Sequence, residues 1–385
     1  MTRKSMGMHM QNIIDQSDQN KAVMEEEFKH KKVKLESFPP MLAIYTTDTC
    51  NLRCIGCHFG MKTASKLSIT AEGYKRMFDL FPYIKEIGIA GAEMFFDAGN
   101  PSGYMQQVFN EASKYPGLRF VGFTNGTLLT PERIQLIVEK FNWIGISIDS
   151  PDPSIYKTIR VGANLNTIIR NIKKISDLKT QKGLGRADNP KIVLSSVIMN
   201  LTYKDILDFV KLADDVGAAR IHLLEPWVGT YEKEYIFHDP KRTLEYLLLR
   251  NEAVKRATVL GIKVQDRTRN AIVNNLPSLE RYLDIPKNEP VRKWPHCCNA
   301  PWTELYIWRN GDAKICCTSK TVVGNINQSS ISEIWNSSMA VAVRKRILEG
   351  NYTVDCQINC HRGYVLPHCQ KKGFFKQVTS LFQMK

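Results

Sequence analysis

The order of elements in this 385-residue chain predicts an α/β fold built on a parallel sheet, with a small cysteine-rich α+β unit after it. Three observations carry the prediction. Short apolar runs alternate six times with helical patterns, and each crossover between parallel strands needs a helix. A Pro-rich stretch, DIPKNEPVRKWP at 284 to 295, closes that region. Beyond it TELYIWRNGDAKICC reads as a hairpin, with Asn310-Gly311 a two-residue turn signal between apolar strands.

Taken in order, residues 1–38 are a polar, Lys/Glu-rich extension with the pattern of a single helix, ended by Pro39-Pro40. Residues 39–283 hold the six strands: LAIYTT, EIGIAG, RFVGFT, WIGISID, KIVLSSVIM and ARIHLLE. Between the last two, Ile206, Phe209, Val210, Ala213 and Val216 recur at helical spacing. Runs this apolar predict strands covered on both faces. Residues 284–296 read as a linker, and 297–385 as the small domain and a tail. In that domain SISEIWNSSMAVAVRKRILEG predicts one helix, capped by Ser330 or Ser332 and stopped by Gly350. The tail KKGFFKQVTSLFQMK reads as a helix capping the core rather than a membrane-surface helix.

Composition narrows the class. At 43% hydrophobic residues the chain can bury a normal core, and neither an 18-residue apolar run nor a secretory leader pattern is present, so a soluble cytoplasmic protein is expected. The net charge of +15 is spread along helices without the aromatic interleaving of an RNA-binding sheet, which argues against nucleic acid as the partner and leaves solvated surface, or an anionic small-molecule substrate, as the reading of the charge. The ten cysteines are more telling. Three lie at 50 to 57 and seven beyond 296, a clustering that favours metal over disulfides in a reducing compartment.

Cys50, Cys54 and Cys57 follow the first strand as C-x3-C-x2-C. Zinc sites normally close with four protein ligands. The three-thiol loop instead resembles the signature of the radical S-adenosylmethionine (SAM) superfamily. That resemblance implies a partial (β/α)6 TIM-like barrel and a [4Fe–4S] cluster whose open iron is chelated by SAM. It further implies reductive cleavage of SAM to a 5′-deoxyadenosyl radical, with an electron donor such as flavodoxin or ferredoxin.

Further positions match the family's SAM-binding words at the ends of predicted strands. They are Gly91, Ala92 and Glu93 in place of the usual GGE, Thr124 and Asn125 in TNGTLL, Ser147 and Asp149 in SID, Arg160 as a carboxylate-binding arginine, and Asn200 as a ribose contact. Gly56 departs from the pattern, standing where an aromatic residue often precedes the third cysteine. Glu225 and Glu93 are candidate bases by position.

Cys298, Gly311 and Cys316 form C-x12-G-x4-C, followed by GNI and EIW, and resemble the auxiliary-cluster region of SPASM and twitch domains. The resemblance implies one auxiliary [4Fe–4S] cluster on Cys298, Cys316, Cys356 and Cys360, with Cys297 and Cys317 as alternates and Cys369 spare. A zinc ribbon is the competing reading of four thiolates. His58 and His296 adjoin cysteines, while Trp302, Trp308 and Trp335 read as core anchors.

The resulting expectation is a dehydrogenase acting on a sugar, aminocyclitol or similar metabolite, with the auxiliary cluster accepting an electron. Two other expectations stand beside it: a peptide maturase or an epimerase with a cysteine hydrogen donor, and a metal-stabilised nucleic-acid-binding protein.

Overall fold

A computed structural model of the chain describes residues 3–55, 57, 68–96, 104–226, 232–276, 278–279, 298–317 and 319–351. Its strands are β1 (Met41–Thr47), β2 (Glu86–Gly91), β3 (Arg119–Thr124), β4 (Phe141–Ser147), β5 (Lys191–Val197), β6 (Arg220–Leu224), β7 (Lys263–Asp266), β8 (Glu304–Ile307), β9 (Asp312–Lys314) and β10 (Gly324–Asn325). All ten form one sheet in the order β10-β9-β8-β1-β2-β3-β4-β5-β6-β7. The run from β1 to β7 is parallel throughout, each strand beside the next in sequence, and the sheet ends at β7 without closing. This is an open, partial TIM-like barrel, as expected, with one strand more than the six read from sequence. The seventh leaves no sequence signal, because KVQD carries a single apolar side chain and neither alternation nor a hydrophobic run.

Period-two alternation sorts each strand into two faces. Ile144, Ile146, Ile192, Leu194, Ile221 and Leu223 join one buried cluster with Ile137, Ile168, Ile172 and Phe209 of the covering helices. The opposite face carries Phe123, Ser147, Ser195, Arg220 and His222, and it is the concave side.

The cysteine-rich region extends this sheet. β8 pairs in parallel with the outer edge of β1, and β9 and β10 follow antiparallel. The turn between β8 and β9 differs from the two-residue form: Gly311 N–H donates to Trp308 O at 2.7 Å, centring the turn on Arg309 and Asn310. Gly311 follows at φ 88°, the geometry of a three-residue loop with a bulge. A Cβ there would also lie 2.6 Å from Asn325 Oδ1. The helix expected over 330–350 is two, Ile331–Trp335 and Ser338–Leu348. Ser330 and Glu333 build a capping box on the first, and Ser337 caps the second while donating to Val323 O at 2.7 Å. Asn336, at the break, is drawn off to the N-terminal segment.

That segment is one helix, Arg3–Lys29, followed by a stretch of turns and bends bound to the C-terminal region. Asn336 Oδ1 accepts from Leu35 N–H at 2.8 Å and its Nδ2 donates to Leu35 O at 2.7 Å. Trp302 Nε1 donates to Lys32 O, Trp335 Nε1 to Ser37 O and Arg344 Nη1 to Val33 O, at 2.7, 3.0 and 3.0 Å. Buried Glu27 turns the stretch by accepting from Glu36 N–H, Ser37 N–H and Ser37 Oγ. Trp302 and Trp335 are fully buried, the core anchors expected.

Candidate active site at the carboxyl ends of the strands

Parallel α/β sheets bind ligands beyond the carboxyl ends of their strands, and the three-cysteine loop leaves β1 at that end. Backbone bonds fix its path: Arg53 N–H donates to Val161 O and Ile55 N–H to Ile159 O, both at 3.0 Å, tying the loop to the segment that carries Arg160. Cys50 Sγ accepts from Leu52 N–H at 3.4 Å and from Asn125 Nδ2 at 3.6 Å, and Arg160 Nη1 stands 4.0 Å from Cys54 Sγ. Burial pushes the Cys50 and Cys54 thiols up, while these donors and the Arg160 charge act in the opposite sense.

Asn51 was not singled out from sequence, yet it is the hub of this corner. Its Oδ1 accepts from Asn125 Nδ2 at 2.9 Å and its Nδ2 donates to Thr127 Oγ1 at 2.8 Å. The only signal was its place directly after Cys50.

Behind the loop, β2 ends at Gly91, whose φ of 131° favours glycine. Ala92 N–H donates to Thr47 O at 2.9 Å, and Glu93 turns inward and is fully buried. Thr124 Oγ1 and Asn125 N–H donate to its two oxygens, both at 2.7 Å, and Phe95 N–H donates at 3.3 Å. Burial nevertheless pushes the Glu93 carboxyl up. With both oxygens engaged, Glu93 is built as a fixed acceptor rather than a free base.

Asp149 and Arg160 meet as a pair. Arg160 Nε and Nη2 donate to the two Asp149 oxygens at 2.6 and 3.2 Å, and Val197 N–H donates to Asp149 Oδ1 at 3.1 Å. Ser147 lies at the end of β4, and its carbonyl faces Tyr156 OH at 3.5 Å. Asn200 follows β5 with its N–H bonded to Glu234 O at 2.9 Å.

Glu225, just past β6, is half-buried, and burial pushes its carboxyl up to about 7. Tyr235, raised to about 12 chiefly by burial and also by the charge of Glu225, accepts from Asn275 Nδ2 at 3.2 Å.

On the β8 side the Tyr45 and Trp308 rings stack at 4.2 Å, with Lys314 Nζ 4.4 Å above Trp308. Arg309 pairs with Asp48 at 3.0 Å. Cys316 and Cys317 adjoin this group closely enough to raise the Tyr45 and Tyr306 phenols, although burial is the larger cause. Cys298 is half-buried against the core. Cys297, Cys356, Cys360, Cys369, His58 and His296 lie outside the described residues.

Residues 44–213 match the family model described as Radical SAM superfamily, and residues 297–361 match SPASM, an iron–sulfur cluster-binding domain. The chain belongs to the radical SAM superfamily. It is a radical SAM enzyme with a C-terminal SPASM domain, and the two domains bring a SAM-binding [4Fe–4S] cluster and an auxiliary cluster.

Among curated relatives, the GTP 3′,8-cyclase of Clostridium botulinum strain Okra is 22% identical over 237 residues, covering 60% of this chain and 71% of that protein. The AdoMet-dependent heme synthase of Methanosarcina barkeri is 28% identical over 201 residues, covering 50% of this chain and 52% of that protein. In solved structures the fold is similar to that of Streptococcus suis SuiB bound to S-adenosylmethionine, at a TM-score of 0.58 and 16% identity, covering 84% of this chain and 71% of that one. It is also similar to anSMEcpe with bound AdoMet, at a TM-score of 0.54 and 14% identity, covering 82% and 84%.

The residues present fit the first cluster. Its three thiols share one loop, and two of the sulfurs face N–H or guanidinium groups that favour thiolate. Among the described residues no three His, Cys, Asp or Glu side chains converge on one metal ion. A four-iron cubane, which takes each thiolate on a different iron, makes no such demand.

Proposed function

We propose that this enzyme dehydrogenates a sugar, aminocyclitol or similar metabolite held on the concave face. When bound, the three-cysteine cluster supplies the electron that splits SAM into methionine and a 5′-deoxyadenosyl radical. Asp149 holds the Arg160 guanidinium toward the cluster loop, and Asn51, Asn125 and Glu93 fix the loop's other side. The bonds broken would be a carbinol C–H and the O–H of the same carbon as the carbonyl forms, with the hydroxyl proton passing to Glu225, and an auxiliary cluster held by Cys298 and Cys316 would supply an acceptor for the remaining electron.

Glu225 carries this reading: a carboxyl brought to about 7 by burial at the carboxyl end of a barrel strand is matched to accepting that proton near neutrality. Cys298 and Cys316, with Cys356 and Cys360 outside the described residues, are the proposed auxiliary ligands. A flavodoxin or ferredoxin in the cytoplasm is the proposed electron source. Among the described residues no helix is long and apolar enough to cross a membrane.

The test is a screen of carbon-deuterated polyols and aminocyclitols with the anaerobically reconstituted enzyme, reading deuterium in 5′-deoxyadenosine. A product two mass units lighter supports dehydrogenation. Solvent deuterium in a product of unchanged oxidation state replaces it with the epimerase, and deuterium transfer from a peptide alone replaces it with the maturase.

A further inference from the structure

The concave face of β5, β6 and β7 holds a set of polar groups with no protein partner. Ser195 and His222 are directly paired in register, and the pairing continues from His222 to Gln265, two residues before Arg267. Ser195 and His222 are each only 3% exposed, yet Ser195 Oγ and both ring nitrogens of His222 lack hydrogen-bond partners, as does Arg267 Nε. Buried polar groups in native proteins are nearly always satisfied, and an unmet set on one face calls for a ligand or ordered water. Arg267 and Arg220 both lie near enough to His222 to disfavour its protonation, and neither forms an ion pair among the described residues. The face is therefore cationic around a neutral imidazole, which burial and these arginines together hold down at about 3.

The geometry points to an oxyanion subsite here: Ser195, His222 and Arg267 bind a phosphate or carboxylate group of the substrate. Each offers a proton to an acceptor, and a guanidinium beside two neutral donors suits a phosphate or carboxylate oxygen better than it suits a hydroxyl. The Phe123 ring, 6.1 Å from that of His222 and 42% exposed, gives the site an open apolar wall. Gly145 makes room for that ring, since a Cβ at that position would fall 2.2 Å from Phe123 Cδ1.

Val197, which donates to Asp149, lies one pleat beyond Ser195, so Ser195 and His222 sit about 6–7 Å below Val197, while Arg267, one pleat beyond Gln265, stands above them. A substrate anchored by its anionic end would present a carbon to the radical above it. The inference rests on the proposed use of the concave face for substrate.

The probes are inorganic phosphate and acetate, each titrated calorimetrically into the reconstituted enzyme against chloride at matched ionic strength. Saturable binding of either anion is expected, with at least tenfold weaker binding in Arg267→Met and in His222→Phe, and partial retention in Arg267→Lys. Tighter phosphate binding assigns a phosphorylated substrate, and tighter acetate binding a carboxylate. No saturable binding of either anion to the parent enzyme overturns the subsite, whether or not the variants fold. Binding unchanged in folded Arg267→Met and His222→Phe overturns it as well. Formation of 5′-deoxyadenosine by the same preparations separates the outcomes, because its loss in the parent refutes the SAM chemistry and leaves the anion measurement standing.

Discussion

Arg160 and Asp149 form a two-point ion pair, 2.6 and 3.2 Å, in which the carboxylate is 2% exposed and the guanidinium 18%. The pair joins the end of β4 to the end of the helix Pro153–Ile159, and its remaining Nη1 stands 4.0 Å from Cys54 Sγ. Asp149→Asn leaves the arginine buried beside a neutral amide. Removing one partner of such a pair costs about 3–5 kcal/mol. The denaturant midpoint is expected to fall accordingly, and the dissociation constant for SAM, measured calorimetrically on the reconstituted protein, to rise. An unchanged midpoint with unchanged SAM affinity would refute the positioning role.

Cys54→Ala is expected to abolish formation of 5′-deoxyadenosine under strong reductant. Iron analysis should show the loss of about four irons per chain, one cubane. Retained SAM cleavage with that iron missing would move the chemistry away from this loop.

Glu225 gives a pH signature in the opposite direction to an ion-paired carboxylate. Burial pushes its carboxyl up to about 7 in the folded chain, against 4.5 as the ordinary value. Over that window the folded state binds more protons than the unfolded state, so stability falls as pH rises from about 4.5 to 7. In Glu225→Gln this contribution disappears and stability in that window becomes flatter. The rate of substrate oxidation should lose its rise near pH 7, while SAM binding is retained. Equal stability profiles for the two proteins would contradict the assignment.

Glu27→Ala removes the acceptor of two backbone N–H groups and one hydroxyl, of which the two Ser37 groups are buried. Hydrogen bonds to charged groups are worth about 1.5–3 kcal/mol each. A cost of at least the lower figure is expected in urea unfolding, with increased proteolysis near residues 32–38. A neutral result would mean that the N-terminal stretch is held by the indole and guanidinium donors alone.

The alternation of apolar runs and amphipathic helices made the barrel legible because both periods follow from burial on the two faces of a parallel sheet. β7 was missed for the reason that exposes it physically: it is a short edge strand with few apolar contacts of its own. The cysteine loop was legible as three thiols because a cluster constrains residue type and spacing tightly. The Asp149–Arg160 pairing was not, although each residue belongs to a legible motif, since an ion pair across eleven residues leaves no periodic mark. Likewise the Asn51, Asn125 and Thr127 network and the unpaired Ser195 and His222 arise from strand register, which single residue types do not encode. The break at Asn336 has the same origin: local helix pattern continued, and a contact 301 residues away in sequence overrode it.

The stretch that grips the SPASM region sets a timing problem for synthesis. Residues 32–37 leave the ribosome before the barrel strands, and their partners Trp302, Trp335, Asn336 and Arg344 emerge only after those strands have been made. At about 5–20 residues per second, that interval lasts roughly 15–60 s. Through it the carbonyls of Lys32, Val33, Leu35 and Ser37 must stay hydrated and the outer edge of β1 unpaired, until β8 arrives to cover it. Docking of the N-terminal stretch and sealing of the β1 edge thus become a single event that waits for the SPASM region, and from then on the sheet is protected from taking in a foreign strand.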